Sequence, residues 1–142
     1  MSSVSTVTVD SPYEAGQAFA LMSRGGDYVW LSGQTAHDES GRIVGAGDVA
    51  AQARYIFRKV ETILTEHTDV GLASIVRLTT YFVPPLNTEL KLQYWNVRRE
   101  FFGNNPPAST GVQVCGLMTP ETLIEIDVVA YAPVHPQPTL QD

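Results

Sequence analysis

The chain has 142 residues, 44% apolar and 17% charged, with a formal charge of −6; that length suits one domain with a single sizeable core. The acidic balance, with no run of Lys or Arg, sets nucleic acid aside as a partner. One cysteine, Cys115, excludes an intramolecular disulfide and a Cys-based metal cluster, and His37, His67 and His135 form no zinc spacing. The first residues lack a basic segment followed by an apolar core, and no apolar run is long enough to span a bilayer. The expectation is a soluble cytoplasmic protein with no membrane partner.

Residues 1–9 alternate Ser or Thr with Val and read as a flexible start running into a short edge strand. Asp10-Ser11-Pro12 is a turn. Residues 13–23, with Tyr13, Phe19, Leu21 and Met22, read as a strand. Arg24-Gly25-Gly26-Asp27 supplies a hairpin turn, because glycine takes positive φ without steric cost. Residues 28–32 (YVWLS) are rich in β-formers and make the next strand. Gly33 is either a plain strand end or a place where the backbone could approach a ligand closely. Residues 37–47 carry three glycines and read as a loop with room for one hairpin.

Asp48 is the candidate N-cap of an amphipathic helix ending near His67, in which Ala50, Ala53, Phe57, Val60, Ile63 and Leu64 recur at steps of three and four. Gln52, Arg54, Lys59 and Glu66 fall mostly off that stripe, on a face expected to be solvated. Residues 75–83 alternate as a half-buried strand, stopped by Pro84-Pro85. Asn87 or Thr88 caps a second helix reaching Phe102, with Leu90, Tyr94, Val97, Phe101 and Phe102 on its apolar side. Residues 110–114 and 123–130 are the last two strands, joined through a turn at Met118-Thr119-Pro120-Glu121. The tail from residue 133 is expected to be flexible.

The order β-β-β-α-β-α-β-β predicts an α+β fold, a mixed sheet with two helices on one face, within a single domain spanning 1–142. The other face then has no cover within the chain, which points to oligomerisation. In the last strand, Glu125 and Asp127 share one face while Ile124, Ile126 and Val128 take the other. A carboxylate in the middle of such a strand needs a partner, solvent or a chemical task. Asp127 is read as structural. Cys115 is expected to be buried and inert, His37 solvated, and Trp30 and Trp95 core or interface residues.

Taken together, the chain resembles the Rid (RidA/YjgF, reactive intermediate deaminase) family. The resemblance rests on Ser32-Gly33-Gln34 after a strand, Gln52-Ala53-Arg54 in the first helix, the 77–83 strand and Phe101-Phe102. Pro107-Ala108-Ser109-Thr110 and Ile124-Glu125-Ile126 complete it. It implies a chorismate-mutase-like fold, a homotrimer whose sheets pack around a central barrel, and ligand clefts between subunits. It also implies a small-molecule substrate, hydrolysis of reactive imines and enamines to ketoacids and ammonia, and no metal or organic cofactor. By the same resemblance Glu125 positions or activates water, Ser32 and Gly33 line the cleft, and Tyr13 matches an N-terminal site tyrosine.

The chain departs from the family at its substrate grip. Deaminating members carry a carboxylate-binding arginine where this sequence has Ser109. The frequent cysteine two residues on is Gly111, and a helix asparagine aligns near Trp95. Ser109 and Thr110 then offer hydroxyls, and Arg24 is a candidate replacement cation. Three readings stay open: a divergent enzyme acting on an imine, enamine or similar intermediate; a non-catalytic metabolite-binding or regulatory trimer; and a specialised isomerase, cyclase or hydrolase. Beside them stand the bland readings, with Glu125 as a structural ion-pair partner and the Ser109 and Thr110 hydroxyls holding a turn.

Overall fold

A computed structural model describes residues 3–9, 11–14 and 16–134. Among these the chain forms β1 (Ser5–Thr8), β2 (Ala20–Gly25), β3 (Tyr28–Gln34), α1 (Val49–His67), β4 (Ile75–Phe82), α2 (Thr88–Phe102), β5 (Ala108–Gln113) and β6 (Ile124–Tyr131), with a short 3₁₀ turn at Leu72–Ser74. This is the order read from the sequence, and the α+β class with it. The strand expected over residues 13–23 starts only at Ala20. Before it, the Glu14 amide donates to the Ser11 carbonyl at 3.0 Å and Gly16 takes φ +83°, so Tyr13 sits in a turn. Residues 135–142, most of the tail expected to be flexible, lie outside the described residues.

All six strands form one sheet in the order β1-β2-β3-β6-β4-β5. Only the β4–β5 pair is parallel, as a crossover through α2 requires. The last strand is therefore central, flanked by β3 and β4. β5 and β6, adjacent in sequence, are kept apart by β4.

Asp48 caps α1 as expected, its carboxylate accepting from the Ala51 amide at 3.0 Å. Asn87 caps α2 in the same way through the Leu90 amide at 2.9 Å. Both helices cover one face of the sheet. Ile124, Ile126, Val128 and Ala130 of β6 are buried there together with Ile56, Phe57, Val60 and Leu64 of α1 and Tyr94 and Val97 of α2.

Gln52 departs from its expected place on the solvated face and is fully buried. Its Nε2 donates to the Gly45 and Glu121 carbonyls, each at 3.1 Å, and its Oε1 accepts from the Leu123 amide at 3.0 Å. One side chain thus satisfies three backbone groups of the segments leading into α1 and β6. Gln52→Leu is expected to leave all three unpaired, at about 1–3 kcal/mol for each group that water cannot reach. Thermal unfolding should show a fall in melting temperature of about 5 °C or more; an unchanged midpoint would sink this account.

Among the described residues, the other face of the sheet has no helix. Tyr28 and Trp30 of β3, Val112 of β5 and Tyr131 of β6 are each 38–46% exposed on it. The Tyr28 ring lies 6.3 Å from that of Trp30 and 5.5 Å from that of Tyr131, so the aromatics form a patch. This is the uncovered apolar face that strand and helix accounting anticipates.

Candidate active site

Glu125 projects from β6 onto the helix-free face, beside Tyr81 of β4. On its other side β3 is irregular between Leu31 and Gln34, and Gly33 lies in that irregularity. A Cβ at Gly33 would fall on the Glu125 carboxylate, with Cδ at 2.9 Å and Cγ at 3.1 Å. The glycine therefore leaves room for the Glu125 side chain, a role beside the plain strand end and the approach to a ligand expected from the sequence. The carboxylate is half-buried, and burial first, then the Asp127 charge, pushes its pKa above the usual 4.5. No described donor hydrogen-bonds to it or pairs with it as an ion. Asp127, two residues on, accepts a long hydrogen bond from the Tyr81 hydroxyl at 3.4 Å. The Ser32 hydroxyl donates to the Ala20 carbonyl at 2.6 Å, which ties the irregular segment of β3 to β2.

Ser109, Gly111 and Trp95 gather elsewhere. Ser109 and Gly111 face the helix side of edge strand β5, against α2. There Arg98 Nη1 donates to Ser109 Oγ at 2.8 Å. Arg98 also stands over the Tyr94 ring, 5.8 Å from its centroid. Beneath it Tyr94 and Thr80 share a buried hydroxyl pair, and burial pushes the tyrosine up to about 12. Two adjoining hollows of about 310 and 240 Å³ meet at Trp95, Arg98 and Ser109. Lys91 and Arg99 line one each, so a cationic groove with an exposed tryptophan runs between α2 and β5 in an otherwise acidic chain. Thr110 points the other way, onto the helix-free face, where its hydroxyl accepts from Arg77 Nη2 at 2.5 Å.

Within the chain these residues make no single site. Glu125 and Ser109 occupy opposite faces of the sheet, with β4 between their strands, about two inter-strand spacings or 10 Å apart. Tyr13 belongs to neither group. Its ring stacks on His37 with centroids 5.4 Å apart. Arg24 does not reach either group, because its guanidinium donates to the Ala132 carbonyl at 2.5 Å, toward the far end of β6 from Glu125. His37 is buried and not solvated, its ring nitrogens held near Thr35 and Thr119. Cys115 is exposed and not buried, since it follows the edge strand β5 where no second layer covers it.

Arg98 is the residue that motif reading passed over. Its signal was available, since Arg98 and Arg99 follow Trp95 by three and four positions on one helix face. Among the described residues, no three His, Cys, Asp or Glu side chains converge in a way that would hold a metal.

A six-stranded α+β sheet with two helices on one face is the fold this chain shares with solved proteins of the YjgF type. Residues 10–132 match the family described as Endoribonuclease L-PSP, and the chain belongs to that family, the YjgF/Rid family. A member of the YjgF/YER057c/UK114 family from Mycobacterium tuberculosis is 27% identical, with a TM-score of 0.74 over 92% of this chain and 100% of that one. A Pseudomonas aeruginosa protein of unknown function is 28% identical, with a TM-score of 0.75 over 93% and 94%. A Rid-family protein from Yersinia pestis shares the fold at 20% identity, with a TM-score of 0.77 over 92% and 100%.

Proposed function

We propose that the protein hydrolyses a reactive imine or enamine bearing a carboxylate, in clefts between the subunits of a homotrimer. The observation that carries this reading is the Glu125 carboxylate: half-buried, raised in pKa, without a described protein donor, and lodged in the space left by Gly33. A carboxyl group tuned toward neutrality serves as base to a water and as acid to a leaving amine. Water adds to the imine carbon as Glu125 accepts its proton. That proton passes to nitrogen, and the C–N bond then breaks as the hydroxyl proton follows through the same carboxylate, leaving a carbonyl and ammonia.

The same geometry supports the assembly. Glu125 cannot meet Ser109 of its own protomer, but a second copy seated on the aromatic face brings an edge strand and its α2 alongside. Trp95, Arg98, Ser109, Thr110 and Gly111 of one copy then complete the cleft around Glu125, Ser32 and Gly33 of the next. Arg98 supplies there the planar charge that Ser109 lacks. Three cations on α2 within a chain of net charge −6 suit one small anion better than a phosphate chain, so RNA cleavage is the weaker reading.

The test couples an amino-acid oxidase, which releases imines, to semicarbazide, with the purified protein competing for the imine. The expected result is diversion of imine to ketoacid by a trimer in light scattering. An inert trimer would leave metabolite binding as the function of the same cleft, and a monomer would remove the cleft itself. Gly33→Ala refines the test. The new methyl displaces only the tip of a flexible side chain, so the melting temperature should stay within about 2 °C. Turnover should fall at least tenfold, because the carboxylate moves by about an ångström or more.

A further inference from the structure

A further hollow lies elsewhere, between α1, the segment around Tyr13 and the loop after β3. It holds about 390 Å³ and includes none of Glu125, Ser109 or Arg98. Lys59 reaches into it from α1 and is more than half buried, against the solvated face its position in the helix suggests. Its Nζ donates to the His37 carbonyl at 3.3 Å, and among the described residues it forms no salt bridge. Burial lowers its pKa from 10.5, and Glu14 opposes that only in part. His37, whose ring is engaged by two threonine hydroxyls and stacked under Tyr13, is likewise held toward neutrality by burial and by Lys59.

We propose that Lys59 is a carbonyl-reactive amine, and that this hollow takes a small neutral aromatic aldehyde. The volume is in the range that holds a compact ligand. Tyr13 and Tyr55 give the walls an aromatic character, and Glu14, Asp38 and Glu39 outnumber Arg58 on the rim, which disfavours an anionic substituent. In the reaction the Nζ lone pair adds to the carbonyl carbon and forms the C–N bond. The two nitrogen hydrogens pass to the carbonyl oxygen, which leaves as water, and the product is the imine. An amine raised out of its ammonium form by desolvation is the reacting species in such condensations.

The sequence makes the test clean, because lysine occurs only twice, at Lys59 and at the exposed Lys91. The protein is treated near pH 7 with benzaldehyde and sodium cyanoborohydride, and the adducts are mapped by peptide mass spectrometry. Lys59 should be benzylated several-fold faster than Lys91, since desolvation in the hollow enlarges its free-amine fraction. The preference should vanish in guanidinium chloride and weaken with 4-carboxybenzaldehyde. Equal or faster labelling of Lys91 in the native protein overturns the proposal. So does a preference for Lys59 that survives unfolding, because the fold would then not be its cause.

Discussion

Replacing Glu125 by glutamine is expected to cut imine turnover about a hundredfold to ten-thousandfold, the range for loss of a positioned acid or base. The same variant should be more stable than the wild type near neutral pH. Burial raises the pKa of Glu125 in the folded protein above 4.5, so folding favours its protonated form. The stability this residue contributes is complete below the unfolded value and is lost as pH rises through the folded one. At pH 7 the ionised carboxylate is therefore a cost that the neutral amide does not carry. The expected melting-temperature gain is about 1–3 °C at pH 7, shrinking toward zero below about pH 4.5. Melts at both pH values, with turnover alongside, separate the readings. A variant that is inactive and less stable at pH 7 would show that Glu125 serves as a structural ion-pair partner.

The second large effect is expected at Arg98. Arg98→Met should raise KM for a carboxylate-bearing imine about thirtyfold or more, in line with roughly 2–5 kcal/mol for breaking a buried charge-assisted pair. The lower end is the better expectation, because Arg98 is only partly buried. An imine without a carboxylate should be processed as by the wild type, and kcat should change little. Arg98→Lys should restore only part of the affinity, since an ammonium cannot form a fork. A variant that lowers turnover of charged and uncharged imines alike would rule out an anion grip and leave Arg98 as a prop for Ser109.

Much of this was legible in the residues because local signals were unopposed. Asp48 before a stripe at steps of three and four gives α1 its start and its buried side, and the alternation around Glu125 separates its two carboxylates from the core. Period, however, tells which face a residue takes and not which strand lies beside it. The insertion of β6 between β3 and β4 was therefore invisible, and with it the distance between Glu125 and Ser109. Gln52 was misplaced because a polar side chain on a helix reads as solvated until its backbone partners, 69 and 71 residues away in the Glu121 and Leu123 bonds, come into view. Tyr13 failed for a nearer reason. Ser-Pro-Tyr-Glu followed by Gly16 favours a turn, and an aromatic residue alone does not make a strand.

The strand order also bears on how the chain is made. β1, β2 and β3 form one ribbon, and β4 with β5 forms another, but only β6 joins them. Until the ribosome has delivered residues 124–131, the apolar sides of both helices have only part of a sheet to pack on. Acquisition of structure should consequently be late and abrupt, with chaperone-accessible surface persisting through most of synthesis. Nascent chains that stop before β6 should be degraded as a whole, and no stable half of the molecule should accumulate.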